Sequence, residues 1–202
     1  YDYEGQRQDL IRYMRETEDQ LQILLCELAA YLHNKDMEIN VWDQIIAFEG
    51  RMHEFIKAAY DYQDNTFHSH PGYYIDYFEM RLAQLQVLHN LHYEIKKIRK
   101  MPKQALVIAD YIMYMADYVV EMNIPDQQIE KLEEISEQMK QEELPKTREE
   151  FEGRALLYHI LMDLEEFLVY KKRFVNGLDE KKLRIYWKQE MEQKDSANEL
   201  QK

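Results

Sequence analysis

The start of a helix at Thr147 is the feature of this sequence that most constrains its fold. Pro145 cannot continue a helix from upstream, because it lacks a backbone N–H. Thr147 can cap the next helix, and Glu150 stands three residues on, which is the spacing of a capping box. Apolar residues then recur every three to four positions, at Leu157, Ile160, Leu161, Leu164, Phe167 and Leu168. At about 100° per residue they share one face, which predicts an amphipathic helix over 147–176.

The same periodicity covers most of the chain. Only five Gly and four Pro interrupt the 202 residues, and no alternation typical of strands persists. We therefore predict further helices at 5–33, 41–62, 72–100 and 103–122, with a short acidic helix starting near Pro125. Long helices with short connections predict an all-α fold, an elongated antiparallel helical bundle of about five to six helices.

Length and composition suit a single domain. The chain has 46% hydrophobic and 32% charged residues, enough for one core. We expect residues 1–202 to form one soluble helical domain, with a helical hairpin over 1–65, a core region over 66–176 and a charged tail over 177–202. Neither a signal peptide nor a run of about 20 apolar residues is present, so we expect that this chain itself crosses no membrane.

Charge and motif content exclude several classes of function. The formal net charge is −13, so we expect no nucleic-acid partner, since phosphates require clustered cations. A single cysteine, Cys26, excludes an internal disulfide and suits a reducing compartment. No phosphate loop, nucleophile elbow or Ser-His-Asp pattern occurs. We therefore predict no catalytic residues, no enzyme activity and no cofactor.

Four polar residues fall on predicted apolar faces and are the candidate ligand-binding residues: Arg81, His89, His92 and Arg154. A buried guanidinium needs a carboxylate or several carbonyls. We predict that Arg154 is mostly buried and paired with a carboxylate, Glu150 being the local candidate. Two interpretations stay open. Arg81 and Arg154 line a pocket for an organic acid, or both form buried pairs that fix the helix register.

Histidine spacing raises the question of a metal site. Three spacings are ligand-like: His89-x-x-His92, His68-Ser-His70, and His159 with Asp163 four residues later. Di-iron bundles instead need inward Glu-x-x-His pairs on two helices, and the sequence has none. His159 and Asp163 point away from the main apolar stripe, which favours surface pairing. We predict no metal site.

Tyrosines and basic residues are unevenly distributed. Tyrosines cluster in two groups, Tyr73, Tyr74, Tyr77 and Tyr111, Tyr114, Tyr118, which suit either core packing or stacking on an aromatic acid. Basic residues form three clusters: Lys96, Lys97, Arg99, Lys100; Lys171, Lys172, Arg173; and Lys181, Lys182, Arg184. Such clusters suit solvated helix ends or an anionic lipid surface.

Three stretches carry a family resemblance: LPKTREEFEGRALLYHILMDLEEFL at 144–168, YYIDYFEMRLAQLQVL at 73–88 and ALVIADYIMYMADYV at 105–119. They resemble the C-terminal domain of the aromatic acid exporter family of bacterial membrane proteins, so 66–176 is the family-like core. The resemblance implies an N-terminal transmembrane domain that is absent from this chain. A first residue of Tyr1 rather than Met agrees with a fragment of a longer protein.

The resemblance also implies a location and a role. We expect a domain on the cytoplasmic side of the cell membrane, with a structural, oligomerisation or regulatory role beneath its own transmembrane domain. The alternative is a helical-bundle module that binds a small organic (aromatic) acid. Self-association is expected as well, because the first predicted helix continues an apolar stripe from Leu10 to Leu32.

Overall fold

The computed structural model describes residues 2–34, 41–65, 71–178, 187 and 199–200. These residues contain six helices: α1 Tyr3–Asn34, α2 Val41–Asn65, α3 Pro71–Lys96, α4 Ala105–Ala116, α5 Asp126–Lys140 and α6 Arg148–Asn176. The described part of the chain contains no strand. The predicted all-α fold is therefore confirmed. Most of the predicted charged tail over 177–202 lies outside the described residues.

Helices α1 and α2 run antiparallel. The guanidinium of Arg51 donates to both carboxylate oxygens of Glu16 at 3.1 Å. One turn away, the rings of Tyr13 and Phe55 stack with centroids 4.5 Å apart. A later residue of α1 thus contacts an earlier residue of α2, as expected for antiparallel helices. The two contacts together define the register of this pair.

Helix α3 reverses direction again and packs against α2 along its length. The ring centroids of Phe55 and Phe78 lie 5.6 Å apart near the start of α3. At the other end, Trp42 of α2 lies 6.2 Å from His92, measured between ring centroids. The apolar stripe of α2 is buried in this contact, as the periodicity of its sequence predicts.

Helix α6 packs antiparallel on α3, so α3 lies between α2 and α6. The side-chain amide of Gln84 donates to the backbone carbonyl of Phe167 at 2.8 Å. Toward the start of α3, the ring centroid of Tyr77 lies 5.9 Å from that of Phe174. This central position of α3 explains why its polar residues are buried.

The two short helices complete the bundle. Helix α4 packs along α1, and α5 packs on α6. Gln22 of α1 donates to the carbonyl of Val119, just after α4, at 3.1 Å. Tyr111 of α4 donates to the carbonyl of Gln128 in α5 at 2.6 Å. The first contact attaches the connection between α4 and α5 to α1, and the second joins α4 to α5.

Two helices end earlier than predicted. Helix α3 ends at Lys96 rather than near residue 100, because the next two backbone N–H groups bond carbonyls three residues back and tighten the last turn. Pro102 then disfavours helical geometry in the residue before it. Helix α4 ends at Ala116 rather than near residue 122 through the same kind of tight turn. The connection over 97–104 is longer as a result.

Helix α6 begins where the sequence predicts, but its cap differs in one detail. The hydroxyl of Thr147 accepts the backbone N–H of Glu150 at 3.1 Å. The carboxylate of Glu150 turns back and accepts the N–H of Lys146 at 2.8 Å, rather than that of Thr147. Both side chains still satisfy orphan donors near the helix start.

Candidate functional site

Arg81 is a fully buried charged side chain, with 1% of its surface exposed. Its Nε donates to the hydroxyl of Tyr77 at 3.0 Å, and its Nη1 donates to the side-chain oxygen of Gln84 at 2.9 Å. Its Nη2 lies 3.6 Å from the carboxylate of Glu18 in α1 without forming a hydrogen bond. The protein itself therefore engages this guanidinium, as a buried charge requires.

Tyr77 links the charges of α1 and α3. Its hydroxyl accepts from Arg81 and donates to Glu18 at 3.2 Å. Burial raises the pKa of Tyr77 well above its ordinary value, so the hydroxyl stays protonated and can donate. Gln84, which accepts from Arg81, also donates to the carbonyl of Phe167 in α6. One connected set of bonds thus joins α1, α3 and α6.

Lys171 of α6 belongs to the same buried region. Its ammonium donates to the carbonyls of Val120 at 2.7 Å and Glu121 at 2.8 Å. Burial lowers the pKa of Lys171 well below its ordinary value, and the nearby positive charge of Arg81 lowers it further. This finding corrects the prediction of a basic cluster at 171–173, because the first of its three cations faces the interior.

Glu121 and Tyr73 form a further buried contact near the start of α3. The hydroxyl of Tyr73 donates to the carboxylate of Glu121 at 2.7 Å and accepts from the indole Nε1 of Trp187 at 3.2 Å. Burial, followed by the negative charge of Glu121, raises the pKa of Tyr73. We call these residues the buried polar network. It comprises two bonded groups, one of Glu18, Tyr77, Arg81 and Gln84 and one of Tyr73, Glu121 and Lys171.

The two candidate histidines lie at the opposite end of α3 from Tyr73. His92 is buried, and neither of its ring nitrogens has a hydrogen-bond partner within the described part of the chain. Burial lowers the pKa of His92, and the charges of Lys96 and His89 lower it further. His89 is half-buried, 3.3 Å from the carboxylate of Glu49, and packs edge-on against Trp42. Both histidines therefore contact one tryptophan.

Asp163 is buried, which corrects the prediction that it points away from the core. It follows Ile160 by three residues, a spacing that returns it to the side of the apolar stripe. Its carboxylate lies 3.9 Å from Nδ1 of His159. Burial raises the pKa of Asp163 to about 6, His159 opposes this shift, and Glu94 and Glu166 add to it.

Neither metal binding nor thiol chemistry finds a built site in the described residues. No group of three or more His, Cys, Asp or Glu side chains is arranged there to hold a metal ion. Cys26 is half-buried against the core. Burial raises the pKa of its thiol, and the negative charges of Asp117 and Glu27 raise it further. The thiolate fraction at neutral pH is therefore low.

An open cavity of about 340 Å³ lies where α6 begins. Its walls are the 97–104 connection, the 141–147 connection and the first turns of α6. Gly153 allows the first wall to approach closely, because a Cβ there would lie 3.1 Å from Cγ of Pro102 and 3.4 Å from the carbonyl oxygen of Lys100. The early end of α3 shapes this cavity, and the helix boundaries predicted from the sequence gave no sign of it.

Arg154 lines this cavity and is half-buried. Its Nη1 donates to the backbone carbonyl of Glu143, and its Nε is buried without a hydrogen-bond partner. The prediction that Arg154 is mostly buried and paired with a carboxylate is therefore wrong for the described residues. The reason is local, since the carboxylate of Glu150 is engaged by the N–H of Lys146.

The structure separates the four candidate ligand-binding residues. Arg81 lies within the buried polar network, His89 and His92 lie beside Trp42, and Arg154 lies at the cavity. A common ligand site formed by all four is not present in this arrangement. The sequence analysis missed Glu18, Gln84 and Glu121. Lys171 could have been found, because it follows Phe167 by four residues and so lies on the same apolar face.

The basic clusters differ in their surroundings. Lys96, Lys97, Arg99 and Lys100 are exposed at the end of α3. Lys172 pairs with Asp126 at 2.7 Å. The third cluster, Lys181, Lys182 and Arg184, lies outside the described residues. In the part of the chain that the structure describes, no helix has the length and apolar character needed to span a bilayer.

The fold and the buried polar network define an all-α helical-bundle domain stabilised by ion pairs between helices. The family described as "Putative aromatic acid exporter C-terminal domain" matches residues 7–172, from α1 to α6. The chain therefore belongs to that family, as the three sequence stretches predicted. The match covers more than four-fifths of the chain.

Two bacterial proteins are similar to this chain. The chain is 28% identical over 170 residues to the uncharacterized protein YqjA of Bacillus subtilis strain 168, covering 82% of this chain and 51% of the relative. A crystal structure titled as a putative membrane protein from Clostridium difficile 630 has a TM-score of 0.74 at 23% identity, covering 83% of this chain and 97% of that one. That structure supports the fold. The chain spans about half the length of the Bacillus relative.

Proposed function

We propose that this chain is the cytoplasmic-side domain of a bacterial exporter-like membrane protein, and that it assembles or regulates the transmembrane part rather than catalysing a reaction. The observation that carries this proposal is the family match over residues 7–172, which includes all or part of every helix. The Bacillus relative supports it as well, because the match covers 51% of that protein and a membrane-embedded region would occupy the remainder.

The buried polar network suits such a role. A domain that transmits an assembly or regulatory signal needs helices that keep one register. Buried charged groups disfavour alternative packings, because any slip would leave a charge unpaired. The bonds among Glu18, Tyr77, Arg81 and Gln84 hold α1, α3 and α6 in this way.

Helix α4 supplies a surface for assembly. Leu106, Val107 and Met113 are exposed on it, in a helix whose other face packs on α1. Exposed apolar side chains grouped on one helix are typical of a contact surface. We propose that copies of this domain associate through α4. Tethering in a membrane raises the effective concentration, so the isolated domain needs only weak affinity.

The exposed basic residues at the end of α3 suit a membrane-proximal position. Lys96, Lys97, Arg99 and Lys100 occupy four of the five positions 96–100, in a chain whose formal net charge is −13. Each cation near an anionic leaflet contributes about 1 kcal/mol of attraction. We propose that this end of the bundle faces the lipid headgroups.

Cysteine labelling of the complete natural polypeptide tests the proposed location. A Cys26→Ser background with an added Gln141→Cys substitution places one thiol at an exposed position after α5. A membrane-impermeant maleimide should label it in inside-out vesicles and not in intact cells. The Cys26→Ser protein without the added thiol is the control. Labelling from outside intact cells would overturn the cytoplasmic assignment.

A further inference from the structure

We infer that the contact between the start of α2 and the end of α3 is a proton-sensitive switch, with the ring of His92 as its sensor. Protonation of His92 releases the first turns of α2, which carry Trp42, and deprotonation restores the contact. The switch goes beyond the proposed function and does not rest on it, because it requires neither a membrane nor a second copy of the chain.

His92 is buried in surroundings that suit a neutral ring better than a charged one. Its side chain is 3% exposed, and neither Nδ1 nor Nε2 has a hydrogen-bond partner among the described residues. A neutral imidazole leaves one N–H unpaired there, whereas an imidazolium leaves two and also buries a charge. Uptake of a proton by His92 therefore disfavours the contact that buries the ring.

The charged groups near His92 add to this penalty. Burial lowers the pKa of His92 most, and the positive charges of Lys96 and His89 on the same helix lower it further. The nearest carboxylate of α2, that of Glu49, lies 3.3 Å from Nδ1 of His89 and is engaged there. A charge on the ring of His92 is thus repelled along α3 and gains no partner from α2.

The acidic groups of the other helices near this end are engaged elsewhere. On α6, the carboxylate of Asp163 lies 3.9 Å from Nδ1 of His159. On α1, Glu27 accepts a side-chain hydrogen bond from Gln44 of α2. Neither carboxylate bonds His92, so the described part of the fold provides no counter-charge for a protonated ring.

Trp42 connects His92 to the start of α2. Its ring centroid lies 6.2 Å from that of His92 and 4.3 Å from that of His89. Trp42 is the second residue of α2 and is 37% exposed, so a small displacement of the first turn brings it into water. Val41 and Ile45 are the buried side chains of the first five residues of α2. A helix end that buries so few apolar side chains opens at a lower free energy than the whole fold.

The direction of the response follows from the lowered pKa of His92. The opened state, in which the ring meets water and has its ordinary pKa of about 6.5, binds the proton more readily than the closed state. The contact is therefore complete above about pH 6.5 and weakens as the pH falls below that value. A protonated His89 has the opposite effect, because its charge attracts Glu49. Asp163 also favours the folded state at low pH, since burial raises its pKa to about 6. A local measurement at Trp42 is needed to separate these effects.

The fluorescence of Trp42 provides that measurement. The chain has two tryptophans, so a Trp187→Phe background leaves Trp42 as the only indole that emits. Lowering the pH from about 7.5 to about 4.5 spans the ordinary range of histidine. Over this range the emission maximum should move to longer wavelength and quenching by acrylamide should increase, while the far-UV circular dichroism stays helical. An unchanged emission maximum and unchanged quenching in the folded protein would overturn the inference.

Matched variants assign the transition to one histidine. His92→Gln removes the titrating ring and keeps a polar side chain, so both fluorescence changes should disappear. His53→Gln is the control, since His53 is exposed on α2, and both changes should remain. They should remain in His89→Gln and in Asp163→Asn as well. A transition that persists in folded His92→Gln protein, or one that is lost in His89→Gln or Asp163→Asn, would contradict the assignment to His92.

An NMR titration of the His92 ring gives an independent measurement that needs no variant at this position. The midpoint for the ring carbons of His92 should lie below about 6.5 and should coincide with the midpoint of the Trp42 transition. If the ring titrates at or above its ordinary value, or at a pH different from that of the Trp42 transition, His92 is not the sensor.

Discussion

The guanidinium of Arg81 faces the carboxylate of Glu18 across the α1–α3 contact at 3.6 Å, and the hydroxyl of Tyr77 bonds both. This arrangement places a positive and a negative charge in the interior of a helical bundle. The third member is the neutral hydroxyl of Tyr77, which accepts from Nε of Arg81 and donates to Glu18. Nη2 of Arg81 has no hydrogen-bond partner among the described residues. The helices that carry these groups are therefore held in one register.

Replacing Arg81 tests how much this pair contributes to the free energy of unfolding. Arg81→Met should lower the free energy of unfolding by about 3 kcal/mol, because it leaves Glu18 in a largely buried position without its partner charge. Urea denaturation followed by circular dichroism measures the change. Arg148→Met is the matched control, since the side chain of Arg148 is 92% exposed and pairs with Glu152 on the surface. That change should stay within about 1 kcal/mol.

The double variant sharpens the comparison. Adding Glu18→Gln to Arg81→Met removes the orphaned charge, so the double variant should recover part of the lost stability. If Arg81→Met alone proves as stable as the natural chain, the pair does not carry the energetic role assigned to it here.

Asp163 predicts a pH dependence of stability. Its pKa in the folded protein is raised to about 6, mainly by burial, against about 3.9 for an unfolded aspartate. The folded state therefore binds more protons between these values, and stability falls as the pH rises through about 6. Asp163→Asn should remove this decline. Between pH 4.5 and pH 7.5, the stability of the variant relative to the natural chain should therefore rise by roughly 2 kcal/mol.

A carboxyl-carbon NMR titration measures the pKa of Asp163 directly. The exposed Asp110 provides the control, and Asp110→Asn should leave the pH profile of unfolding unchanged. An Asp163 midpoint near 4 in the folded chain would contradict the assignment of burial as the dominant effect.

Removing the N-terminal cap of α6 should destabilise the protein less than replacing Arg81. The Thr147 hydroxyl accepts the N–H of Glu150, so Thr147→Ala should lower the free energy of unfolding by about 1 kcal/mol. Thr147→Ser retains the accepting oxygen and should lower it by less than half as much. Equal losses in both variants would show that the methyl group of Thr147, not the cap, is responsible.

Arg154 should matter little for stability. Its side chain is half-buried and makes one bond to a backbone carbonyl, with no carboxylate left unpaired by its removal. We expect Arg154→Met to change the free energy of unfolding by less than about 1 kcal/mol. A loss comparable to that of Arg81→Met would contradict this expectation and would make Arg154 a residue that stabilises the fold.

Local sequence signals predict the helices of this protein well. Thr147, Pro145 and the apolar stripe to Leu168 define α6, because capping and periodicity act within a few residues of each other. Helix ends set by tight turns are harder to place, and α3 and α4 each stop a turn or more before the predicted end.

Buried polar contacts and cavities depend on distant parts of the chain. Gln84 meets Phe167 and Tyr73 meets Glu121 only after the bundle has formed. Periodicity identifies Arg81 as an inward residue but cannot tell which carboxylate it meets. The cavity beside Arg154 likewise arises where two connections pass the start of α6, a relationship that no single segment contains.

Removal of residues 7–172 from the complete natural polypeptide tests the central claim most directly. The remaining protein should still insert in the membrane, but its oligomer size by light scattering, or any export that the complete polypeptide performs, should fall. Insertion, oligomer size and export that all match those of the complete polypeptide would contradict the claim that this domain assembles or regulates a membrane exporter.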